Sequence, residues 1–289
     1  MSKVLGSFKS LYLTTLVLLI SVITANSYVF ALGAGSSNVS SAIGERAPAP
    51  SSLAQPESMT KTNFSPIDYY NWSGYAATTT KSFNKVIGSY IQPSINCSTA
   101  ADDNSIASFW VGFDGFSNYS VEQAGTEAEC GQTPSTPPTY VAWWEMYPTN
   151  NMQITKVTIK PGDHITDSVI YNTNGTYTLK VADTTDKQSA SVIQSCGSGI
   201  VCQRESAEWI IERPTLNSSY SLLGNWGTVK FTASEAATDN YPSASPEQGI
   251  SKLTYFPINM INYSGNALAN VSPLSSTGAS FSDNWVAEQ

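Results

Sequence analysis

Acidic residues stand next to aromatic residues in several short stretches of this sequence. Glu208 and Glu212 occur in "SAEWIIERP", and Glu145 occurs in "YVAWWEMYP". Because successive side chains of a strand point to opposite faces, Glu208 and Glu212 share one face, and Glu145 shares a face with Trp143. Carboxylates placed in this way are either solvated surface groups or general acids and bases.

The stretch "SFWVGFDG" adds a glycine to this pattern. Alternation puts Trp110, Gly112 and Asp114 on one face of a strand, and the opposite face of Phe and Val suits a core. The missing side chain at Gly112 leaves room for a ligand beside an aromatic ring and a carboxylate. A solvated outer face is the alternative, but Trp side chains are not expected on such a face of an acidic soluble protein.

The residue inventory excludes several kinds of catalytic site. The one histidine, His164, lies in "PGDHIT" at the predicted start of a strand, so Ser-His-Asp and Cys-His sites are disfavoured. The sequence has no His-Glu-x-x-His metal motif, no Asp-Thr-Gly or Asp-Ser-Gly and no glycine-rich phosphate loop. We therefore expect no metal and no cofactor. An enzyme with this inventory works with carboxylates, amides, hydroxyls and aromatic rings.

The composition is poor in charge and acidic in balance. Charged residues make up 12% of the 289 residues, against roughly 25% in a typical soluble protein. There are 22 Asp and Glu against 14 Lys and Arg, for a net charge of −8, which argues against a nucleic-acid partner. Lys and Arg stay charged in acid, but the chain has few of them. Once the carboxylates are protonated, the positive charges therefore repel one another only weakly, and the composition suits an acid-tolerant protein.

The N-terminus has the features of a secretory signal. Lys3 and Lys9 precede the apolar run "LYLTTLVLLISVITA" at 11–25, and small residues follow. An uncleaved anchor helix is the alternative, although the run is short for a membrane span. We predict a signal peptide at 1–25, a Ser-, Ala-, Gly- and Pro-rich linker or propeptide at 26–63, and one domain at 64–289. The mature protein is expected to be secreted and free of the membrane.

The four cysteines are Cys97, Cys130, Cys196 and Cys202. An even number in an exported chain predicts two disulfides, for which three pairings are possible. We favour Cys196–Cys202, which closes the short "CGSGIVC" segment, together with Cys97–Cys130. A zinc site is disfavoured, because no Cys-x-x-Cys spacing occurs.

From about residue 64 onward, short β-rich runs alternate with turn residues. The clearest are "KVIGSYIQP", "ASFWVGFDG", "YVAWWEMYP", "ITKVTIKPGD", "ITDSVIYN", "YTLKVADTT", "SASVIQS", "AEWIIE" and "WGTVKFTASEA". Val, Ile, Thr, Tyr and Trp dominate them, and no long segment has a helical period. This spacing predicts an all-β, antiparallel sandwich or jelly roll. Asn-Gly in "NTNGTY" predicts a hairpin.

The motifs occur in an order that resembles the glutamic peptidases, also called eqolisins or peptidase family G1. They are "NWSGYA", "FWVGFDG", "VEQAGT", "WWEMYP", "CQRESAEWIIE" and "NWGTVKFT", over roughly residues 71–240. The resemblance implies a concanavalin A-like sandwich of two antiparallel sheets, endopeptidase activity at acidic pH and no metal.

The same resemblance assigns roles to individual residues. The catalytic glutamine falls on Gln123, in a Gln-x-Gly segment interpreted as a turn, and the catalytic glutamate falls on Glu208. The family's substrate-side aromatic residue and carboxylate fall on Trp110 and Asp114, and a further acid falls on Glu145.

Some residues depart from the family's pattern or carry no role in it. Ala124 stands where Thr is usual and Thr126 where an apolar residue is usual, which leaves subsite preference open. Glu212 ends its strand before Arg213-Pro214 and is expected to be solvated.

Three functions are compared. The first is a secreted, monomeric endopeptidase that cleaves protein or peptide substrates near pH 2–5, with Glu208 as base and acid and Gln123 as oxyanion donor. The second is a glycoside hydrolase that uses Glu145 and Glu208, whose carboxyl separation would be about 5–5.5 Å or about 6.5–9.5 Å. The third is a non-enzymatic module that binds carbohydrate or peptide through its Trp-bearing face.

Overall fold

The computed structural model describes residues 65–97, 105–131, 133, 136–239 and 246–289 of the chain. All of these residues belong to one compact unit. The predicted signal segment (1–25) and the predicted linker or propeptide (26–63) lie outside them. No helix within the described residues has the length and apolar character that crossing a membrane requires.

The described part of the chain is built from β-strands, and a 3₁₀ turn at Ile250–Lys252 is its one helical element. In chain order the strands are β1 (Ile67–Tyr69), β2 (Trp72–Thr78), β3 (Phe83–Ile91), β4 (Ser105–Phe113), β5 (Val121–Glu129), β6 (Thr139–Tyr147), β7 (Gln153–Thr158), β8 (His164–Tyr171), β9 (Thr176–Asp183), β10 (Gln188–Ser195), β11 (Ser206–Glu212), β12 (Thr215–Leu216), β13 (Ser219–Tyr220), β14 (Leu222–Leu223), β15 (Thr228–Thr238), β16 (Gln248–Gly249), β17 (Thr254–Ile261), β18 (Ala267–Val271) and β19 (Phe281–Trp285). The all-β prediction is confirmed.

Apart from β12 and β13, which pair only with each other, the strands form two sheets. The front sheet has the order β7-β6-β5-β4-β11-β2-β17-β18-β19, and the back sheet has the order β10-β9-β8-β3-β15-β16. The pairings are antiparallel, apart from the short parallel contacts of β1 with β17 and of β14 with β4. The sandwich of two antiparallel sheets is therefore confirmed.

Strand β15 joins the two sheets. Its first half pairs with β19 of the front sheet, and its second half pairs with β3 and β16 of the back sheet. A bulge separates the halves, and Ala233 within it has a φ of 47°. Since bulges bend a strand and increase its twist, this irregularity lets one strand pass from sheet to sheet.

The main core lies between the sheets, on the face that alternation assigned to Phe and Val. Phe109, Val111 and Phe113 of β4 are buried there with Trp209 and Ile211 of β11. Each such side chain contributes about 1.5–3 kcal/mol on burial. This packing holds β4 and β11 rigidly side by side, so their opposite, outward face is fixed as well.

The segment that contains Gln123 is a strand, not a turn as interpreted from the sequence. Strand β5 runs for nine residues between β4 and β6 and is buried along its whole length. Its Glu, Gln, Ala and Gly residues have low β propensity, so pairing on both sides rather than local preference makes it a strand. Gly125 is required there, because a Cβ would lie 2.1 Å from the Phe109 backbone oxygen.

Other local predictions agree with the structure. Residues 172–175 connect β8 to β9 in the hairpin predicted from Asn-Gly, and Gly175 has a φ of 82°. His164 begins β8 with an exposed side chain. The disulfides are Cys97–Cys130 and Cys196–Cys202, the pairing that the sequence favoured.

Candidate active site

Four of the singled-out positions form one row across the front sheet. Glu208 on β11 is directly opposite Gly112 on β4, Gly112 is opposite Gln123 on β5, and Gln123 is opposite Glu145 on β6. Directly opposite residues of antiparallel strands point to the same side of the sheet. We call Glu208, Gly112, Gln123 and Glu145 the catalytic row; it lies on the face turned away from the main core.

Gly112 separates the glutamate from the glutamine. Adjacent strands lie about 4.8 Å apart, so the backbones of Glu208 and Gln123 are about 10 Å apart. A Cβ at position 112 would lie 2.9 Å from the Glu122 backbone oxygen and 3.2 Å from the Gln123 Cβ. The Trp110 Cζ3 also lies 3.0 Å from where that Cβ would be, so only a glycine fits at this point between the two functional groups.

Glu145 orients the glutamine. The Gln123 Nε2 donates a hydrogen bond of 3.1 Å to the Glu145 Oε2, and both residues are fully buried. Since an amide has distinct donor and acceptor ends, this bond determines which end of Gln123 faces which way. The structure therefore brings Glu145 into contact with Gln123, while Glu208 lies on the far side of Gly112.

Glu208 lies in an environment that favours its neutral form. It is fully buried, and burial is the largest cause that raises the pKa of its carboxyl group well above the usual 4.5. The Ser206 hydroxyl on the same strand opposes this shift, and the negative charges of Asp114 and Glu205 add to it. Burial and the charge of Glu208 in turn raise the pKa of the nearby Tyr69 to about 12.

Asp114 does not continue the β4 alternation from which its position was predicted. It follows the last residue of β4 and has a φ of 67°. Its carboxylate accepts hydrogen bonds from the backbone N–H groups of Arg204 (2.7 Å) and Glu205 (2.9 Å) and from Asn118 Nδ2 (3.0 Å). Asp114 therefore holds the segment that leads into β11.

Trp110 lies on the face of the catalytic row, one alternation step away from Gly112. Its ring is fully buried and meets the Trp72 ring edge-on, with centroids 5.0 Å apart. Its Nε1 donates a 2.9 Å hydrogen bond to the Glu212 Oε2. The indole is thus fixed at both its apolar and its polar end.

The expectation that Glu212 is solvated was wrong. Glu212 is fully buried, because β11 is a central strand and places it between Trp72 of β2 and Ser108 of β4. Besides Trp110, it accepts a 3.5 Å hydrogen bond from Asn71 Nδ2. A following proline ends the strand but does not expose its last residue.

Sequence reasoning also missed Glu127. It lies on β5 opposite Ser108, is 2% exposed, and accepts a 2.6 Å hydrogen bond from the Ser108 hydroxyl. Period-two alternation from Gln123 would have placed Gly125 and Glu127 on the same face. That signal was lost because the segment was interpreted as a turn.

A second apolar cluster lines the outward face around these acids. Its buried members are Tyr69, Trp72, Ala76, Trp110, Phe116, Val121, Trp143, Met152, Ile210, Phe256 and Ile258. This face thus combines aromatic rings, carboxyl groups and a glutamine, as the alternation of the strands predicted. Apolar surroundings strengthen the hydrogen bonds and charges placed among them.

Within the described residues, two groups have ligand atoms within 4.8 Å of one another. In the first, Glu122 lies beside Cys196 and Cys202, whose sulfurs are joined in a disulfide and cannot act as thiolates. In the second, Asp163 and Asp186 pair with Lys160. Neither group lies in the catalytic row.

This chain is similar to known proteins in both sequence and fold. Residues 70–282 match the model of the Peptidase A4 family. Aspergillopepsin-2 of Aspergillus niger is 28% identical over 188 residues, which span 58% of this chain and 64% of that relative.

Two solved structures have the same fold. Scytalido-glutamic peptidase, solved with a peptide-based transition-state analog, has a TM-score of 0.61 at 22% identity and covers 75% of this chain and 98% of its own. Aspergilloglutamic peptidase from Aspergillus niger has a TM-score of 0.51 at 28% identity and covers 63% and 99%. The resemblance to the glutamic peptidases is confirmed, and the chain belongs to the Peptidase A4 family.

Proposed function

We propose that this chain is a secreted endopeptidase that hydrolyses peptide bonds at acidic pH with Glu208 and Gln123 as its catalytic pair. The observation that carries the proposal is the catalytic row, in which a carboxyl group and an amide flank a glycine on one face of the sheet. Membership of the Peptidase A4 family supports the same chemistry. We further propose that the mature protein is a monomer that acts on proteins and peptides without a cofactor, a nucleic acid or a membrane.

The reaction needs an activated water, a donor to the oxyanion and a proton for the leaving amine. Glu208 takes a proton from the water as its oxygen attacks the substrate carbonyl carbon. Gln123 donates one N–H to the oxygen that becomes negative, while Glu145 accepts its other N–H. Glu208 then gives the proton to the peptide nitrogen, the C–N bond breaks, and a carboxylic acid and an amine leave.

A neutral amide suits this position better than a second carboxylate. Two adjacent carboxylates repel each other, and one of them then keeps its proton. Gln123 can donate to an oxyanion at every pH in the acidic range. The protonation state of the pair is therefore determined by Glu208 alone.

The buried state of Glu208 bears on its role as a base. Burial is the largest cause of its raised pKa, so entry of water beside the carboxyl group lowers that pKa and favours the carboxylate form needed for a base. Because Glu208 and Gln123 have no exposed surface, a peptide reaches them only when surrounding side chains move. Substrate binding and activation of the base are then one coupled event.

Secretion is supported by the two disulfides, which form and persist in oxidising compartments. The low content of Lys and Arg agrees with work at acidic pH, since it limits positive self-repulsion there. Both features are independent of the catalytic row.

A two-carboxylate glycoside hydrolase is the weaker alternative. Glu145 lies three strands from Glu208, about 14 Å away at the backbone, and Gln123 lies between them. Glu145 is also hydrogen-bonded to Gln123 rather than directed at a common point with Glu208. A non-enzymatic binding module would not require a buried carboxyl group and an amide on either side of a glycine.

The proposed activity is tested by incubating the full chain with denatured casein between pH 2 and pH 7. We expect cleavage with a maximum in the acidic range, because the reaction needs a titrating carboxyl group and a neutral amide. A metal chelator and an inhibitor of pepsin-like dyads should leave the rate unchanged. Absence of cleavage at every pH, or complete inhibition by the chelator, would contradict the proposal.

Gly112→Ala is expected to lower kcat/KM on the order of 100-fold, because its Cβ enters the gap between Glu208 and Gln123. The assay is cleavage of a chromogenic peptide, with circular dichroism to verify the fold. Gly175→Ala in the β8–β9 hairpin is the matched control; it strains a φ of 82° and should cost about 1 kcal/mol of stability without changing activity. Full activity of Gly112→Ala would show that the gap has no role.

A further inference from the structure

The loop between β4 and β5 (residues 114–120) folds back over the face that carries the catalytic row. Asp114 and Gly115 at its start have positive φ values of 67° and 86°, which turn the chain out of β4. A Cβ on Gly115 would lie 2.6 Å from Val121 Cγ2 and 2.9 Å from Trp72 Cη2. Val121 belongs to β5 and Trp72 to β2, and β4 and β11 lie between these two strands. Gly115 therefore lies over β4 and β11, on the face of the catalytic row.

Phe116, the next residue of the loop, packs on aromatic rings from more distant strands. Its ring centroid lies 5.1 Å from that of Phe256 on β17 and 5.9 Å from that of Tyr69 on β1. Its side chain is buried in the second apolar cluster. Phe256 is in line with the catalytic row, because it lies opposite Ala76, which lies opposite Glu208. The loop therefore brings Phe116 to the side of Glu208 that faces away from the glutamine.

The surroundings of Glu208 on this side are apolar. Ala76 lies between Glu208 and Phe256, and Phe116 and Tyr69 belong to the same buried cluster. A peptide whose reacting carbonyl group faces the glutamine extends a neighbouring side chain toward this cluster. A charged side chain would lose its hydration among these rings, whereas a large apolar side chain gains by leaving water.

Asn118 holds the loop in this conformation with both ends of its amide. Its Oδ1 accepts hydrogen bonds from the backbone N–H groups of Gly115 (3.0 Å) and Ser120 (3.2 Å). Its Nδ2 donates to Asp114 Oδ1 (3.0 Å) and to Glu205 Oε1 (3.1 Å). The first two bonds close the loop on itself, and the bond to Glu205 ties it to the segment before β11. Together they determine where the aromatic ring of the loop lies.

We propose that Phe116 is a specificity-determining residue, held in place by Asn118 as a positioning residue, and that it selects a large apolar side chain next to the scissile bond. The inference rests on the proposed peptidase function and deepens it, because it names the substrate class: peptides with Phe, Leu or a similar residue at the cleaved bond. Asn118 acts through the loop and does not touch the substrate.

The preference is measured with two blocked peptides, one of alanine with a single central phenylalanine and one of alanine throughout. The preference ratio is kcat/KM for the phenylalanine peptide divided by kcat/KM for the alanine peptide. In the wild type it should be on the order of 100, since even one methylene group in an apolar pocket changes kcat/KM by about 10–200-fold. Phe116→Ala should lower the ratio about tenfold or more and leave cleavage of the alanine peptide within a few-fold.

Tyr119→Ala is the matched control. Tyr119 is an aromatic residue of the same loop, but it is 77% exposed and lies outside the cluster, so its loss should leave the preference ratio unchanged. Phe116→Leu keeps an apolar side chain and should lower the ratio by a smaller factor; it decides the matter if circular dichroism shows that Phe116→Ala does not fold. An unchanged ratio in the folded Phe116 variants, or an equal loss in Tyr119→Ala, would overturn the proposal.

Asn118→Ala tests the positioning role. It removes all four hydrogen bonds of the amide and should lower the preference ratio about as much as Phe116→Ala, although Phe116 is still present. Because residues that act through one another are non-additive, the double variant should show no further loss of the ratio. Losses that add in the double variant would show that Asn118 does not act through Phe116.

Peptide binding separates this inference from the proposed function. In the Glu208→Gln variant the peptides stay uncleaved, and calorimetry should give a Kd about tenfold lower for the phenylalanine peptide than for the alanine peptide. Adding Phe116→Ala should remove most of this difference. If the wild type cleaves nothing, the proposed function fails, yet these Kd values still decide whether Phe116 selects an apolar side chain; equal Kd values for the two peptides would refute it.

Discussion

Glu208→Gln is expected to lower kcat for peptide cleavage by a factor of roughly 10³ or more, the largest effect of any single substitution considered. The variant keeps the size of the side chain but cannot take a proton from water, and general base catalysis contributes about 10²–10⁴ in rate. Gln123→Ala removes the oxyanion donor and should cost about 10²–10³. Both are measured as kcat and KM with one peptide substrate at the optimum pH of the wild type.

The double variant distinguishes a catalytic pair from two independent contributors. Residues that act as a unit are strongly non-additive, so Glu208→Gln with Gln123→Ala should be little worse than Glu208→Gln alone. Its residual rate also shows how much cleavage comes from a contaminating protease.

Glu212→Gln is the matched control, because Glu212 is a buried glutamate on the same strand and the same face. Its replacement can still accept the Trp110 N–H, so activity should remain within a few-fold of the wild type. If Glu212→Gln lost as much activity as Glu208→Gln, or if Glu208→Gln stayed near wild-type activity, the assignment of the base would be wrong.

The free energy of unfolding should be highest in acid and fall as pH rises toward neutrality. Asp283 of β19 is fully buried, and burial raises the pKa of its carboxyl group from 3.8 to about 7, although the Ser73 hydroxyl lowers it in part. The folded chain therefore keeps a proton that the unfolded chain loses above about pH 4. The contribution of Asp283 to the free energy of unfolding is therefore fully present below that pH and is lost as pH rises through about 7.

Asp283→Asn isolates this contribution. One pKa unit corresponds to about 1.36 kcal/mol, so the difference from 3.8 to about 7 corresponds to roughly 4 kcal/mol at most. The variant should flatten the decline of stability between pH 4 and pH 7 by up to this amount, as measured by urea unfolding at several pH values.

Asp186→Asn serves as the control for that experiment. Asp186 is an exposed carboxylate paired with Lys160, and such surface pairs contribute little to stability because solvent screens them. Its curve should run parallel to that of the wild type. A parallel curve for Asp283→Asn would show instead that Asp283 contributes nothing to the pH dependence.

The strands that were predicted correctly are those whose local pattern matches their environment. In β4 and β11, alternating Phe, Val, Trp and Ile on one face meet the core, so short-range periodicity was enough to identify strand and face. The sandwich followed from the number and spacing of such runs. Strand β5 was not recognised from its local pattern, because it contains three glutamates and a glutamine. Such a segment becomes a strand only because it lies between two paired strands.

Individual side chains were harder to place than strands. Glu212 was expected in solvent because a proline follows, but burial depends on the neighbouring strands β2 and β4, which are distant in sequence. Asp114 was placed by alternation, but its positive φ takes it out of the strand and toward the segment before β11. Neither outcome is contained in the local pattern.

The sequence by itself determined the fold class, the disulfide partners and the family, whose motifs point to Gln123 and Glu208 as the proposed catalytic pair. Only the tertiary structure decided that Glu208, Gly112, Gln123 and Glu145 form one row on one face of the front sheet. The physical reason is that alternation is a property of one strand, whereas the register between strands comes from hydrogen bonds and core packing across the whole chain.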